Sequence, residues 1–146
     1  MFTKILWATD FSEPARRAGE RALECTRVSN KPLHALVIVD PKDMPLDLGD
    51  AFSPFADEGR LQAEYEQRVL DHLKREVEAL GAINVPVEFH IRVGVPWREI
   101  VSAAQELGVT LIVMGCRGKR SLSEVLLGST VENVVKYAPC PVLVTR

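Results

Sequence analysis

The chain has 146 residues, of which 47% are apolar and 26% charged, with a formal net charge of −2. That supplies one two-sided core and is too thin for two, so the expectation is a single domain over residues 1–146. The near-neutral balance argues against a general nucleic-acid or membrane surface, which carries a basic stripe, and leaves room only for a local anion site.

Cys25, Cys116 and Cys140 cannot all pair, and none sits in a CxxC or beside a histidine at metal-ligand spacing. The reading is a reduced, cytoplasmic protein without a metal centre. MFTKILWATDF opens with a short apolar run that meets acid at once, with neither a basic n-region nor a cleavage site, and no stretch approaches a membrane span.

Ile5 to Ala8 form a continuous apolar run, the pattern of a strand covered on both faces, and Asp10 closes it. Ser12 caps a helix with Pro14 in its first turn, lined by Ala15, Ala18, Ala22, Cys25 and Thr26 and running through Arg27. Asn30-Lys31-Pro32 breaks it. Leu33 to Val39 is a second apolar strand, ended by Asp40, so a βαβ unit places Asp10 and Asp40 at the same carboxyl edge.

Residues 41–58 form the least regular stretch, with three prolines, Phe52 and Phe55, and carry no recognisable chemistry. From Gly59 to Leu80 the spacing of Leu61, Tyr65, Val69, Leu73, Val77 and Leu80 predicts a helix that Gly81 stops, with His72 on its solvated side. Val85 to Val93 alternates as an edge strand does. His90 there and His34 earlier have no partner nearby in sequence and read as packing or surface residues. Pro96 starts a helix bearing Trp97, Ile100, Val101, Ala104 and Leu107, which ends at Gly108. A fourth strand spans Thr110 to Met114. After a loop, Ser129 and Glu132 have capping-box spacing, and Val131, Val134, Val135 and Ala138 give the last helix its buried face. Pro139 and Pro141 end that helix, and Val142 to Thr145 form a fifth strand suited to a sheet edge.

Five strands interleaved with four helices make a doubly wound α/β fold, a parallel sheet with helices on both faces, in which ligands bind beyond the carboxyl ends of the strands. The loop after the fourth strand is rich in glycine: Gly115 and Gly118 flank Cys116-Arg117, and Gly128 precedes Ser129-Thr130 at a helix start. Glycines around a basic loop turn N–H groups toward an anion. A P-loop and the dinucleotide GxGxxG both require glycine at Val113, so neither motif is present.

The spacing Gly115-x2-Gly118-x9-Gly128-Ser129 does resemble the ATP-binding pattern of the universal stress protein family. Similarity extends over nearly the whole chain, through ILWATDFSEPARRA, LVIVD, VGVPWREIV, VTLIVMG and APCPVLV. The resemblance implies a five-stranded sheet in the order 3-2-1-4-5, Rossmann-like and akin to the adenine nucleotide alpha hydrolases. It further implies an adenine nucleotide (ATP, AMP or ADP) in the crevice between strands one and four. Asp10 would meet the adenosine part, Ile38 would pack near adenine, and Gly115, Arg117, Gly118, Gly128, Ser129 and Thr130 would surround ribose and phosphates, with Ala8, Thr9 and Met114 also among the nucleotide-binding residues.

Asp10 has three readings: a hydrogen bond to the nucleoside, a water-mediated hold on Mg²⁺, or a cap on the first helix. Gly115 and Gly118 have a duller reading as a tight turn, Gly128 as a helix-start residue, and Ser129 as a cap on the amides of Val131 and Glu132. Arg117, Lys119 and Arg120 supply positive charge, as phosphate contacts or as solvated loop residues. Cys116 departs from the family, which more often has Ser, Thr or another small residue there. The resemblance also implies a homodimer through the last strand.

No lysine–hydroxyl pair of the GKS/T type, placed carboxylate base or nucleophile–histidine arrangement is readable from spacing. The expected function is therefore nucleotide-dependent regulation through an as yet unknown protein partner, with slow or no hydrolysis. A slow ATPase or phosphotransferase and a nucleotide-free dimeric interaction module are the alternatives.

Overall fold

The computed structural model describes residues 2–43, 58–118 and 126–146. Among these, five parallel strands form one sheet in the order β3-β2-β1-β4-β5, as the resemblance implies. The strands are β1 (Ile5–Thr9), β2 (Leu33–Val39), β3 (Val87–Val93), β4 (Leu111–Gly115) and β5 (Val142–Thr145), and the helices α1 (Glu13–Ser29), α2 (Glu58–Ala79), α3 (Pro96–Leu107) and α4 (Ser129–Tyr137). A short 3₁₀ turn at Pro41–Asp43 follows β2. Of the irregular stretch expected at 41–58, residues 44–57 lie outside the described residues, as does the side chain of Leu61.

Period-two alternation along strands apolar on both faces splits the core in two. Ile5 and Trp7 of β1 join Leu33, Ala35 and Val37 of β2 beneath Ala18, Ala22 and Leu23 of α1 and Leu73 and Val77 of α2. Leu6 and Ala8 face the other way, with Ile112 and Met114 of β4, against Ile100, Ala103 and Ala104 of α3 and Val131 and Val134 of α4. A one-residue slip of β1 against Leu33 or Leu111, its partners for Ile5, would exchange these sets.

The first face is keyed by Trp7. Its indole is fully buried and donates from Nε1 to the carbonyl of Ala15 at 2.9 Å, which ties β1 to the first turn of α1. Gly19 lies directly over the ring: a Cβ there would stand 2.7 Å from Trp7 Cζ2 and from Leu80 Cδ1. Ser12 caps α1 as expected, its hydroxyl accepting from the Ala15 amide at 3.3 Å.

Several details differ from the sequence reading. β3 begins at Val87 rather than Val85, because Pro86 has no N–H for the ladder, although its carbonyl accepts from Leu33 at 2.9 Å. α4 is capped by Gly128 without a side-chain hydrogen bond, so Ser129 is its first helical residue and the Ser129–Glu132 capping box does not form. Val135 is exposed, not buried. It lies about 100° around the helix from fully buried Val134, past the width of so short a contact stripe. His72 is exposed, yet its ring stacks on Phe11 with centroids 3.9 Å apart. His34 and His90, read as isolated, are neighbours across β2 and β3, with ring nitrogens 3.0 Å apart.

Candidate functional site

Because β1, β2 and β4 are parallel, their carboxyl ends share one edge, and the connectivity reverses between β1 and β4. A cleft of about 990 Å³ opens there. All eleven residues selected from the sequence line it: Ala8, Thr9 and Asp10 after β1, Ile38 on β2, Met114, Gly115, Arg117 and Gly118 after β4, and Gly128, Ser129 and Thr130 at the start of α4. Lys119 and Arg120 lie outside the described residues.

The structure adds residues that spacing did not single out. Asp40 and Asp43 contribute carboxylates at the end of β2, Tyr65 and Val69 approach from α2, and Trp97 from α3. Val95, Leu126 and Leu127 present exposed apolar side chains to the same space. Asp40 was readable as the counterpart of Asp10. Tyr65 was hidden by its place in an ordinary amphipathic helix, since only the packing of that helix brings it to the sheet edge.

None of the three loop glycines has a positive φ; among the described glycines that conformation belongs to Gly81, Gly94 and Gly108. What they provide is not left-handed geometry but the close approach that the absence of a Cβ allows. At Gly115 a Cβ would stand 2.7 Å from the Ala15 nitrogen and the Pro14 carbonyl carbon, so this glycine lets β4 end against the backbone of α1. At Gly118 it would stand 2.8 Å from Asp10 Oδ2, inside the cleft. At Gly128 it would stand 3.3 Å from Arg117 Cα and 3.5 Å from the Gly118 nitrogen. The two ends of the loop thus lie backbone against backbone.

Some loop amides are already used. Cys116 donates to the Thr145 carbonyl at 2.7 Å, and Gly128 donates to the Cys116 carbonyl at 2.9 Å. These bonds close the loop onto β5 and onto itself. In α4 the first intrahelical donor is Glu132, to the Gly128 carbonyl at 3.0 Å, which leaves the amides of Ser129, Thr130 and Val131 without an intrahelical acceptor. All three residues line the cleft, and the partial positive charge of a helix N-terminus faces the same way.

Across the cleft floor, Asp10 Oδ1 accepts from the Ser12 amide at 2.9 Å, and Thr9 Oγ1 from the Phe11 amide at 3.1 Å. Phe11 has φ 65, a left-handed conformation that is strained for an aromatic residue and is held by the Thr9 bond and the His72 stack. The turn after β1 is therefore fixed in shape, and the Asp10 carboxylate with it.

Residues 1–146 match the Universal stress protein family. The chain belongs to that family. Universal stress protein MJ0577 of Methanocaldococcus jannaschii is 33% identical over 159 residues, covering 100% of this chain and 96% of its own. The solved structure of MJ0577 matches with a TM-score of 0.81 at 32% identity, over 99% of this chain and 96% of that one. Universal stress protein UspA from Lactobacillus plantarum matches with a TM-score of 0.79 at 26% identity, over 99% and 97% of the two chains. A universal stress protein solved in complex with cAMP matches with a TM-score of 0.68 at 25% identity, over 99% and 97%. With these relatives this stress protein shares a Rossmann-like α/β fold built on a five-stranded parallel sheet. No helix among its described residues is long and apolar enough to cross a membrane.

Proposed function

We propose that this universal stress protein binds an adenine nucleotide, ATP or its mono- or diphosphate, in the cleft between β1 and β4, and acts in the cytoplasm as a nucleotide-dependent regulator. The observation that carries the reading is the junction of Gly118, Gly128 and the first turn of α4. There three amides with no intrahelical acceptor stand beside two glycines that put no side chain into the cleft. The apolar residues Ile38, Val95, Leu126 and Leu127 line the same cleft and suit a purine, while Asp10 is held where a ribose hydroxyl or a hydrated Mg²⁺ would find it. The relative in complex with cAMP supports an adenine ring in a fold of this kind.

Hydrolysis is slow or absent in this reading. Asp10, which lies against Gly118, has one oxygen committed to the Ser12 amide, and no histidine among the described residues lines the cleft to serve as a base. Mass spectrometry of material released from freshly purified protein tests the reading: an adenine nucleotide at near-stoichiometric amount supports it. A protein that carries none, and takes none up from solution, contradicts it.

A further inference from the structure

A second cluster lies on the opposite half of the β2–β3 pair. His34 is the second residue of β2 and Ile38 the sixth, so about 13 Å of strand separates the cluster from the adenine side of the cleft. His34 is in register with Glu88 and Leu36 with His90; the alternation of β3 puts Glu88 and His90 on one face, beside His34. His34 Nδ1 lies 3.0 Å from His90 Nε2 and 3.2 Å from Glu88 Oε2, and one donor atom from each residue falls within 4.8 Å of the others.

This convergence is awkward for protons alone. With both imidazoles neutral, a single proton on either facing ring nitrogen makes one good hydrogen bond and leaves the other contact shared or lone pair against lone pair. Burial holds both imidazoles below their ordinary value of 6.5, with Lys4 and Arg92 acting in the same direction and Glu88 against it. A cation among the three atoms satisfies all of them. Four donors held about 2.0–2.1 Å from a tetrahedral zinc ion stand about 3.3–3.4 Å apart, close to the 3.0 and 3.2 Å that separate His34 Nδ1 from its two neighbours.

We propose that His34, Glu88 and His90 form a binding site for a divalent transition-metal ion of the zinc class, with three protein donors and a fourth position open to water. Two imidazoles and one carboxylate favour zinc, copper or nickel over magnesium or calcium. His34 is almost fully buried and the Glu88 side chain 56% exposed, so the set has a rigid inner donor and an entry side. Since β3 is an edge strand, the ion would tie that edge to β2.

The test uses the full chain stripped with chelator and titrated with Zn²⁺ and, separately, with Co²⁺. The expected result is one ion per chain and a rise in melting temperature. Glu88→Gln and His90→Gln should each weaken binding by about tenfold or more, since even the loss of an outer-sphere partner has that effect. Glu88 is exposed enough that its variant keeps the fold, and nucleotide uptake by that variant should be unchanged, which separates this site from the cleft. Bound Co²⁺ should show ligand-field absorption without a thiolate charge-transfer band, as expected if Cys25, Cys116 and Cys140 stay outside the site. Failure to bind one ion per chain, unchanged wild-type affinity in both variants, or a thiolate band would overturn the proposal.

Discussion

Gly118 and Asp10 meet in the cleft, because a Cβ on Gly118 would stand 2.8 Å from Asp10 Oδ2. Gly118→Ala must displace the end of an exposed side chain rather than backbone, so it should leave stability nearly unchanged while weakening nucleotide binding by about tenfold, or ~1.4 kcal/mol. Calorimetric titration beside a melting curve checks both halves. Buried His34 and half-buried His90 give a second prediction. Their pKa values are lowered in the folded chain, so below pH 6.5 the unfolded chain binds more protons. Their contribution to stability is full above that pH and is lost as pH falls toward the folded values. Chelator-treated protein should melt at lower temperature at about pH 5.5 than at about pH 7.5, and His90→Gln should reduce the difference; a melting temperature that rises on acidification would contradict it. At this scale the sequence was only partly readable. The glycine spacing pointed to the cleft, but the His34–His90 pairing joins residues 56 apart, a separation from which no motif can be recognised.

The four helices divide by what they do. α1 and α2 cover the face that holds Trp7, α3 and α4 the face that holds Leu6 and Met114, and Trp97 stacks on Tyr137 to join α3 to α4 with centroids 5.0 Å apart. Gly115 belongs to this scale, because a Cβ there would strike the backbone of α1 rather than a movable side chain. Gly115→Ala should therefore destabilise the fold by about 1–3 kcal/mol in denaturant unfolding, a magnitude typical of overpacking. Against the near-neutral Gly118→Ala, it would separate a packing glycine from a binding glycine within the same loop. Helix and strand existence followed from apolar periodicity, since tertiary packing here agrees with local pattern. The start of α4 did not, because a Ser-x-x-Glu spacing is silent on whether the serine precedes the helix or opens it. Val135 was misread because an apolar residue at helical spacing is buried only if the neighbouring layer extends over it.

At the scale of the molecule, β3 and β5 are the sheet's edges among the described residues, and they differ. β3 carries Glu88, His90 and Arg92, with Arg92 paired to Glu99 and Glu106 of α3, charges that discourage another strand. β5 is Val-Leu-Val-Thr, with Leu143 exposed and Val135 and Tyr137 exposed on nearby α4. We propose that two copies associate through this edge. Equilibrium sedimentation at micromolar concentration should give a dimer, and Leu143→Asp should shift it toward monomer; a strictly monomeric wild-type chain would contradict the proposal. The sheet order itself was legible only through family resemblance, because apolar strands and right-handed crossovers permit more than one winding.

Regulation by an adenine nucleotide requires first that the cleft accept one. Calorimetric titration of ATP into nucleotide-free protein, with and without Mg²⁺, measures this directly. One saturable site per chain, weakened in Gly118→Ala, is the predicted result; no binding by wild type at about 1 mM ATP under either condition would contradict it.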